Sequence, residues 1–322
     1  MSKDKINFKA IRVYLTEKCN ANCPTCFNAN NRANAEMTPD KFELICRYFN
    51  QQGIKGIKIM GGEPTVHGNF SKMIKIAQKY FSRIFIFSNG LRKDAFNELE
   101  MRENDVITYN FNFANSYSDE IFLLNQKFVR YFEIQVNATK NETKIINQID
   151  ELYNKYGNIF TVALTLDCTS DIFTEKEVVV KKLQYIEKYL IEKKCSFVYD
   201  HKMPYCYLYG TGLHAGFDAL CAPYDSCLID AEYNLRMCNQ HPEKIINIFS
   251  GGKIIPWAIL ENYLFEKFYE LQLVALKKIC RECVFYNSVC NGGCFITSPK
   301  VTKELVFSKT DFPMMRSNLK EQ

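Results

Sequence analysis

Along the N-terminal part of the chain, apolar positions come in two rhythms. Six short runs rich in β-branched and aromatic residues, at 10–15, 54–60, 83–87, 106–113, 132–137 and 160–166, read as strands. Each is followed by a helix-like stretch. The first helix has the clearest signals: Thr38 can cap it, Pro39 suits its first position, and Gly53 ends it. Residues 141–156 and 174–193 carry the other strong helical patterns. Strand–helix alternation of this kind implies an α/β fold with a parallel sheet and crossover helices. Six units fall short of a closed eight-stranded barrel. The expectation is therefore an open, partial (β/α)6 TIM-like barrel.

After about residue 195 the alternation stops, and glycine, proline and cysteine become frequent, as around Gly210, Gly212, Gly251 and Gly252. This divides the chain into a barrel at 1–195 and a small cysteine-rich α+β domain at 196–322, with one helix over 257–279. The second domain reads as loops cross-linked by metal. Internal repeats and low-complexity segments are absent from the sequence.

Composition narrows the function classes. In 322 residues, hydrophobic side chains make up 47% and charged ones 24%, as in an ordinary globular protein. The net charge of +5 is spread thinly, without a basic run, which argues against a nucleic-acid surface. The N-terminus is polar and lacks an apolar signal core, and no apolar stretch of about 18 residues occurs. The expected location is the cytoplasm, with no membrane partner. There are 14 cysteines and only 4 histidines. A reducing compartment disfavours that many disulfides, and thiolates with few imidazoles favour iron–sulfur clusters or all-cysteine zinc.

Two constellations carry the chemistry. After the first strand comes Cys19-Asn-Ala-Asn-Cys23-Pro-Thr-Cys26, three thiols on one loop. Three is one short of the usual four for a cubane cluster, so either a distant cysteine completes it or one iron stays open. After the second strand come Gly61, Gly62, Glu63 and Pro64. The glycines permit close backbone approach, and the glutamate can accept from an ammonium group. Ser88-Asn89-Gly90 follows the third strand; Asn110, Asn112 and Asn115 lie on or after the fourth, and Asn137 ends the fifth. These positions share the carboxyl ends of the strands, where parallel barrels collect function.

This pattern resembles the radical S-adenosylmethionine (radical SAM) superfamily, over about residues 8–195. The family signature is a CxxxCxxC loop after strand one and a GGE-type loop after strand two. One departure is Thr25, where the family usually has an aromatic residue; here Phe27 follows the third cysteine. The resemblance implies that Cys19, Cys23 and Cys26 hold a four-iron cluster with S-adenosylmethionine on its open iron. One-electron reduction then yields a 5′-deoxyadenosyl radical that takes a substrate hydrogen. It assigns cofactor contacts to Gly61, Gly62, Glu63 and Pro64, with Ser88, Asn112 and Asn137 as candidates for ribose or carboxylate contacts. A one-electron donor such as a flavodoxin or ferredoxin is implied as a partner.

The C-terminal cysteines are Cys221, Cys227, Cys238, Cys280, Cys283, Cys290 and Cys294. The run from Cys280 to Cys294 alone would suit a four-cysteine zinc site. With the upstream three, it resembles the SPASM domain of radical SAM enzymes, which carries auxiliary four-iron clusters. By that resemblance, Cys221, Cys227, Cys238 and Cys294 enclose one cluster. Cys280, Cys283 and Cys290 hold a second, whose fourth ligand is Asp311, an exogenous group or none. Cys46 reads as core, and Cys168 as a buried thiol or a hydrogen-atom donor.

SPASM-containing members most often modify peptides. The first expectation is therefore cross-linking, epimerisation or oxidation of a ribosomally made precursor peptide. No built-in leader-binding region is evident, so a separate leader-binding protein is an expected partner. The alternatives are a small-molecule dehydrogenase or decarboxylase in natural-product or cofactor biosynthesis, and a non-enzymatic zinc-stapled module. Sulfatase maturation ranks low, because Asn239 follows Cys238 where that branch carries an aspartate base.

Overall fold

The computed structural model describes residues 9–23, 26, 28, 34–92, 94–110, 128–136, 141–157, 160–166, 175–199, 210–214, 227–239, 241 and 243–275. Strands β1 (Ala10–Tyr14), β2 (Gly56–Met60), β3 (Arg83–Ser88), β4 (Val106–Asn110), β5 (Val129–Val136), β6 (Thr161–Leu166) and β7 (Ser196–Tyr199) pair in chain order, all parallel. Helices α1 (Pro39–Gln51), α2 (Phe70–Tyr80), the short α3 (Asp94–Asn97), α4 (Glu142–Tyr156) and α5 (Lys176–Glu192) lie between them. This is the expected α/β class, and the six strand runs and the helical patterns at 38–53, 141–156, 174–193 and 257–279 fall on observed elements wherever they are described; the stretch after the fourth run lies outside the described residues. The parallel sheet runs on past residue 195 into β7.

Local chemistry explains the helix ends. Thr38 accepts a hydrogen bond from Lys41 N at 3.5 Å, and Pro39 starts α1. Asn141 caps α4 by accepting from Lys144 N at 3.2 Å. Gly53, just past α1, and Gly157, just past α4, adopt positive φ of 87° and 65°, the left-handed exit that glycine takes without strain.

The sheet does not end at β1. Strand β8 (Leu228–Ile229) pairs parallel with β1 through Arg12 and Val13, then turns into β9 (Asn234–Arg236) and β10 (Ile246–Asn247), both antiparallel. The strand order is β10-β9-β8-β1-β2-β3-β4-β5-β6-β7. A small hairpin of β11 (Phe249–Ser250) and β12 (Lys253–Ile254) follows, and then helix α6 (Trp257–Ala275). No helix among the described residues is long and apolar enough to cross a membrane.

The two sheet faces differ in kind. Ile11, Val13, Ile57, Ile59, Ile84, Ile86, Ile107, Tyr109, Phe132, Ile134, Val162 and Leu164 belong to one core cluster. The cluster includes Phe42, Ile45 and Phe49 of α1, Met73 and Ile74 of α2, and Leu183 and Ile186 of α5, so this face is the one the helices cover. Each such side chain contributes about 1.5–3 kcal/mol on burial. The alternate strand positions carry Arg12, Lys58, Thr108, Asn110, Tyr131, Glu133 and Thr165, outside that cluster. The same positions also hold Tyr14, Met60, Phe85, Phe87 and Ala163, so the inner side of the open barrel mixes polar and apolar groups.

Candidate functional site

The site grows from the way β1 leaves the sheet. Past Tyr14 the chain stays extended: Leu15 N donates to Met60 O at 3.0 Å, and Thr16 forms a bridge with Glu36. Thr16 is fully buried; its hydroxyl donates to Ala35 O at 3.2 Å and accepts from Lys18 N at 3.1 Å. This leaves Cys19, Cys23 and Cys26, all half-exposed, on a loop rooted in the sheet. Cys26 N donates to Cys23 O at 3.2 Å, a tight turn that draws the last two cysteines together. Cys19 Sγ accepts from Ala21 N at 3.4 Å. None of the seven described cysteines forms a disulfide.

The loop after β2 locks onto this segment. Gly62 N donates to Thr16 O and Glu63 N to Lys18 O, each at 2.8 Å. A Cβ at Gly61 would lie 2.3 Å from Thr16 O, and one at Gly62 would lie 2.2 Å from Lys18 O. Any side chain there would push the cysteine loop away. The sequence reading took these glycines as room for a ligand; in the structure the close approach is by the backbone of Thr16, Glu17 and Lys18.

Glu63 is 1% exposed and joins two loops. Its Oε1 accepts from Thr65 N at 3.1 Å, Thr65 Oγ1 at 2.6 Å and Ser88 Oγ at 2.8 Å, and its Oε2 accepts from Asn89 N at 2.7 Å. Burial raises its carboxyl above the ordinary range, and these four donors pull the other way. Pro64 opens a short 3-10 turn over residues 64–66 and is buried. Ser88 is 3% exposed; its hydroxyl also accepts from Gly90 N at 3.0 Å. Glu63 and Ser88 thus brace the rim, with one lone pair of Glu63 Oε2 still able to take a ligand donor.

Several supporting residues escaped the sequence reading. Glu17 (4% exposed) accepts from Asn28 Nδ2 at 2.7 Å, closing the cysteine loop on itself. Burial raises the Glu17 carboxyl, and the Asn28 bond opposes the shift. His67 accepts from Asn69 N at Nδ1, so its Nε2–H donates to Met37 O at 2.8 Å. Arg92 donates to Thr65 O at 3.0 Å. Only the closeness of Thr65 and Asn28 to the motifs could have flagged them.

Of the C-terminal cysteines, two fall among the described residues. Cys227 immediately precedes β8, and Cys238 follows β9 by one residue. The hairpin register, Leu228 opposite Arg236, brings both to its open end beside β1, where Arg12 N donates to Cys227 O at 2.9 Å. Burial pushes the Cys227 thiol up to about 12, so a metal would have to displace its proton. Asn112, Asn115, Asn137, Cys168, Cys221, Cys280, Cys283, Cys290, Cys294 and Asp311 lie outside the described residues.

Among the described residues, no three Cys, His, Asp or Glu side chains converge on one point as a single ion requires. That count does not exclude a cluster, because thiolates on a cubane bind different irons and stand further apart. Three half-exposed thiols on a braced loop, with no imidazole among them, fit a four-iron cluster.

A partial parallel barrel with a three-thiol loop at the carboxyl end of its first strand defines a class: an α/β-barrel protein whose loop suits a metal centre. Residues 13–134 match the radical SAM superfamily. This part of the chain matches a radical SAM domain, a type of domain that uses S-adenosylmethionine and a four-iron cluster. The chain is 33% identical over 84 residues to a probable GTP 3′,8-cyclase of Thermococcus kodakarensis, covering 26% of this chain and 27% of that one. It is 27% identical over 78 residues to the sporulation killing factor maturation protein SkfB of Bacillus subtilis, covering 24% and 19%. The chain thus spans about a quarter of the length of the curated relatives it matches. Among solved structures, Streptococcus suis SuiB bound to S-adenosylmethionine superposes with a TM-score of 0.67 at 15% identity, over 94% of this chain and 76% of that one. The enzyme anSMEcpe with bound S-adenosylmethionine and the Kp18Cys peptide gives 0.60 at 14% identity, over 88% of each.

Proposed function

We propose that this protein uses radical SAM chemistry to modify a peptide. The observation that carries the reading is the extent of the likeness to SuiB: it spans 94% of the chain, for SuiB with S-adenosylmethionine and for SuiB bound to its precursor peptide SuiA alike. The cyclase relationship covers only 26% of the chain. The relation to the SkfB maturation protein points the same way.

Cys19, Cys23 and Cys26 would hold the cluster. When bound, the cluster and S-adenosylmethionine supply one-electron cleavage of the sulfonium and so the means to remove a substrate hydrogen. The chain's own part is position. The bonds from Gly62 N and Glu63 N fix the cysteine loop against β2. Glu63 ties that loop to β3 and offers a lone pair to the methionyl ammonium. The inner face, with Thr108, Asn110, Glu133 and Thr165 beside Phe85, Phe87 and Tyr131, suits a substrate that carries both amide groups and apolar side chains.

In the C-terminal part, Cys227 and Cys238 would be ligands of an auxiliary cluster with Cys221 and Cys294. Cys280, Cys283 and Cys290 would hold a second, with Asp311, an exogenous ligand or an open iron as the fourth partner. Separate leader-binding and electron-donor proteins belong to this reading.

A second reading, a small-molecule enzyme of cofactor biosynthesis, is favoured by the identity to the probable GTP 3′,8-cyclases. One experiment separates the two. Reduced, reconstituted enzyme is given S-adenosylmethionine with either a precursor peptide encoded beside its gene or GTP. Mass spectrometry with fragmentation should find a changed peptide and intact GTP. An unaltered peptide beside a cyclised nucleotide would reverse the assignment.

A further inference from the structure

Asn89 follows β3 and is 7% exposed. Its main chain is held by Glu63, whose Oε2 accepts from Asn89 N at 2.7 Å. Its side-chain oxygen accepts from Leu91 N at 3.0 Å. That bond decides which end of the amide is which: the oxygen must face Leu91, so the NH2 group faces the cysteine loop. One of its hydrogens goes to Asn20 Oδ1 at 2.9 Å. The other points at Cys19 Sγ, with Nδ2 at 4.0 Å, the outer limit for a sulfur acceptor.

The rotamer is therefore set by contacts that do not involve the sulfur. The amide arrives beside Cys19 because Glu63, Leu91 and Asn20 put it there. Ala21 N–H also donates to that sulfur, and a side-chain substitution cannot remove it.

We propose that Asn89 is a positioning residue that raises the reduction potential of the barrel cluster by donating its side-chain amide to the Cys19 sulfur. This rests on the reading of Cys19, Cys23 and Cys26 as cluster ligands. The physical basis is general: reduction adds negative charge to the cluster and its thiolates, and an N–H aimed at a ligand sulfur stabilises the more negative state. The β3 loop then does more than brace the rim. Through one carboxylate, Glu63, it couples the loop after β2 to the redox poise of the loop after β1.

Two variants test this. Asn89→Ala deletes the amide and leaves the Asn89 N–H to Glu63 in place. Asn89→Asp keeps an acceptor for Leu91 N while replacing the donor with a charged oxygen, so it guards against misfolding of the first. Both are reconstituted anaerobically, iron is counted, and the reduced protein is titrated electrochemically while its electron paramagnetic resonance is recorded. The signal that changes on adding S-adenosylmethionine identifies the barrel cluster. Both variants should keep the wild-type iron count, and the midpoint of that signal should fall, further for Asp than for Ala. An unchanged or raised midpoint in a variant with full iron would overturn the role of Asn89. If Cys19→Ala also kept the full iron count and the responsive signal, the ligand reading beneath it would fail instead, so the two failures are distinguishable.

Discussion

At the scale of single residues, the loops after β1, β2 and β3 are held together by backbone bonds and one buried carboxylate, Glu63. The spacing of Cys19, Cys23 and Cys26 and the run from Gly61 to Pro64 stand out because ligands need particular atoms at particular spacings. That Gly61 and Gly62 give way to Thr16 and Lys18 could not be read, since the contact joins segments far apart in sequence. Asp105 shows the same limit. It is 1% exposed at the start of β4, and it accepts from Arg102 Nη2 at 2.9 Å, Arg102 Nε at 3.1 Å and Ile84 N at 3.1 Å. Burial alone would raise its carboxyl, but the bonds from Arg102 and Gln78 outweigh it and hold the group below its ordinary 3.8. A depressed carboxyl stabilises the fold above its unfolded value and loses that contribution as pH falls through the folded one. Asp105→Asn should therefore cost about 2 kcal/mol at neutral pH. In urea titrations across pH, its gap from wild type should close below pH 3.8. A gap independent of pH would show that the charge does not matter.

At the scale of elements, helices were easier to place than strands. Caps are local, and Thr38, Pro39 and Asn141 announce their helices within a few residues. Strand β5 begins at Val129, earlier than its apolar run suggested, because pairing with β4 and β6 carries the ladder back across Arg130 to Val129 and Tyr131, both good strand formers. Strands β8 to β10, two or three residues each, have no sequence rhythm and form only because β1 offers them an edge. The α1 cap reaches into this part of the chain: Tyr233, in the β8–β9 turn, donates to Thr38 Oγ1 at 3.4 Å, and its hydroxyl accepts from Thr38 N at 2.9 Å. Thr38→Ala should cost about 1 kcal/mol. In a double-mutant cycle with Tyr233→Phe, the two losses should be less than additive, because they share one cap. Strict additivity would separate the helix cap from the β8–β9 turn.

At the scale of the whole molecule, strand–helix alternation was enough to predict a partial parallel barrel. The extra strands on the β1 side were missed, because β8 pairs with β1 across most of the chain. The partly polar inner face was within reach. Parallel strands covered on both sides read as continuous apolar runs, whereas β1 and β2 alternate, with Arg12 and Lys58 between isoleucines and valine. That alternation marks a sheet with helices on one side and a partly polar space on the other, while β3 keeps Phe85 and Phe87 on that inner side. The same architecture sets the strongest claim, that the braced loop of Cys19, Cys23 and Cys26 generates the radical independently of the C-terminal cysteines. The direct measurement is 5′-deoxyadenosine formed from S-adenosylmethionine under strong reductant, in wild type and in the Cys19→Ala, Cys23→Ala, Cys26→Ala triple variant, with iron counted in both. The account predicts product in the wild type, none in the triple variant, and iron still bound by the variant through its C-terminal cysteines. Undiminished 5′-deoxyadenosine from the triple variant would contradict it.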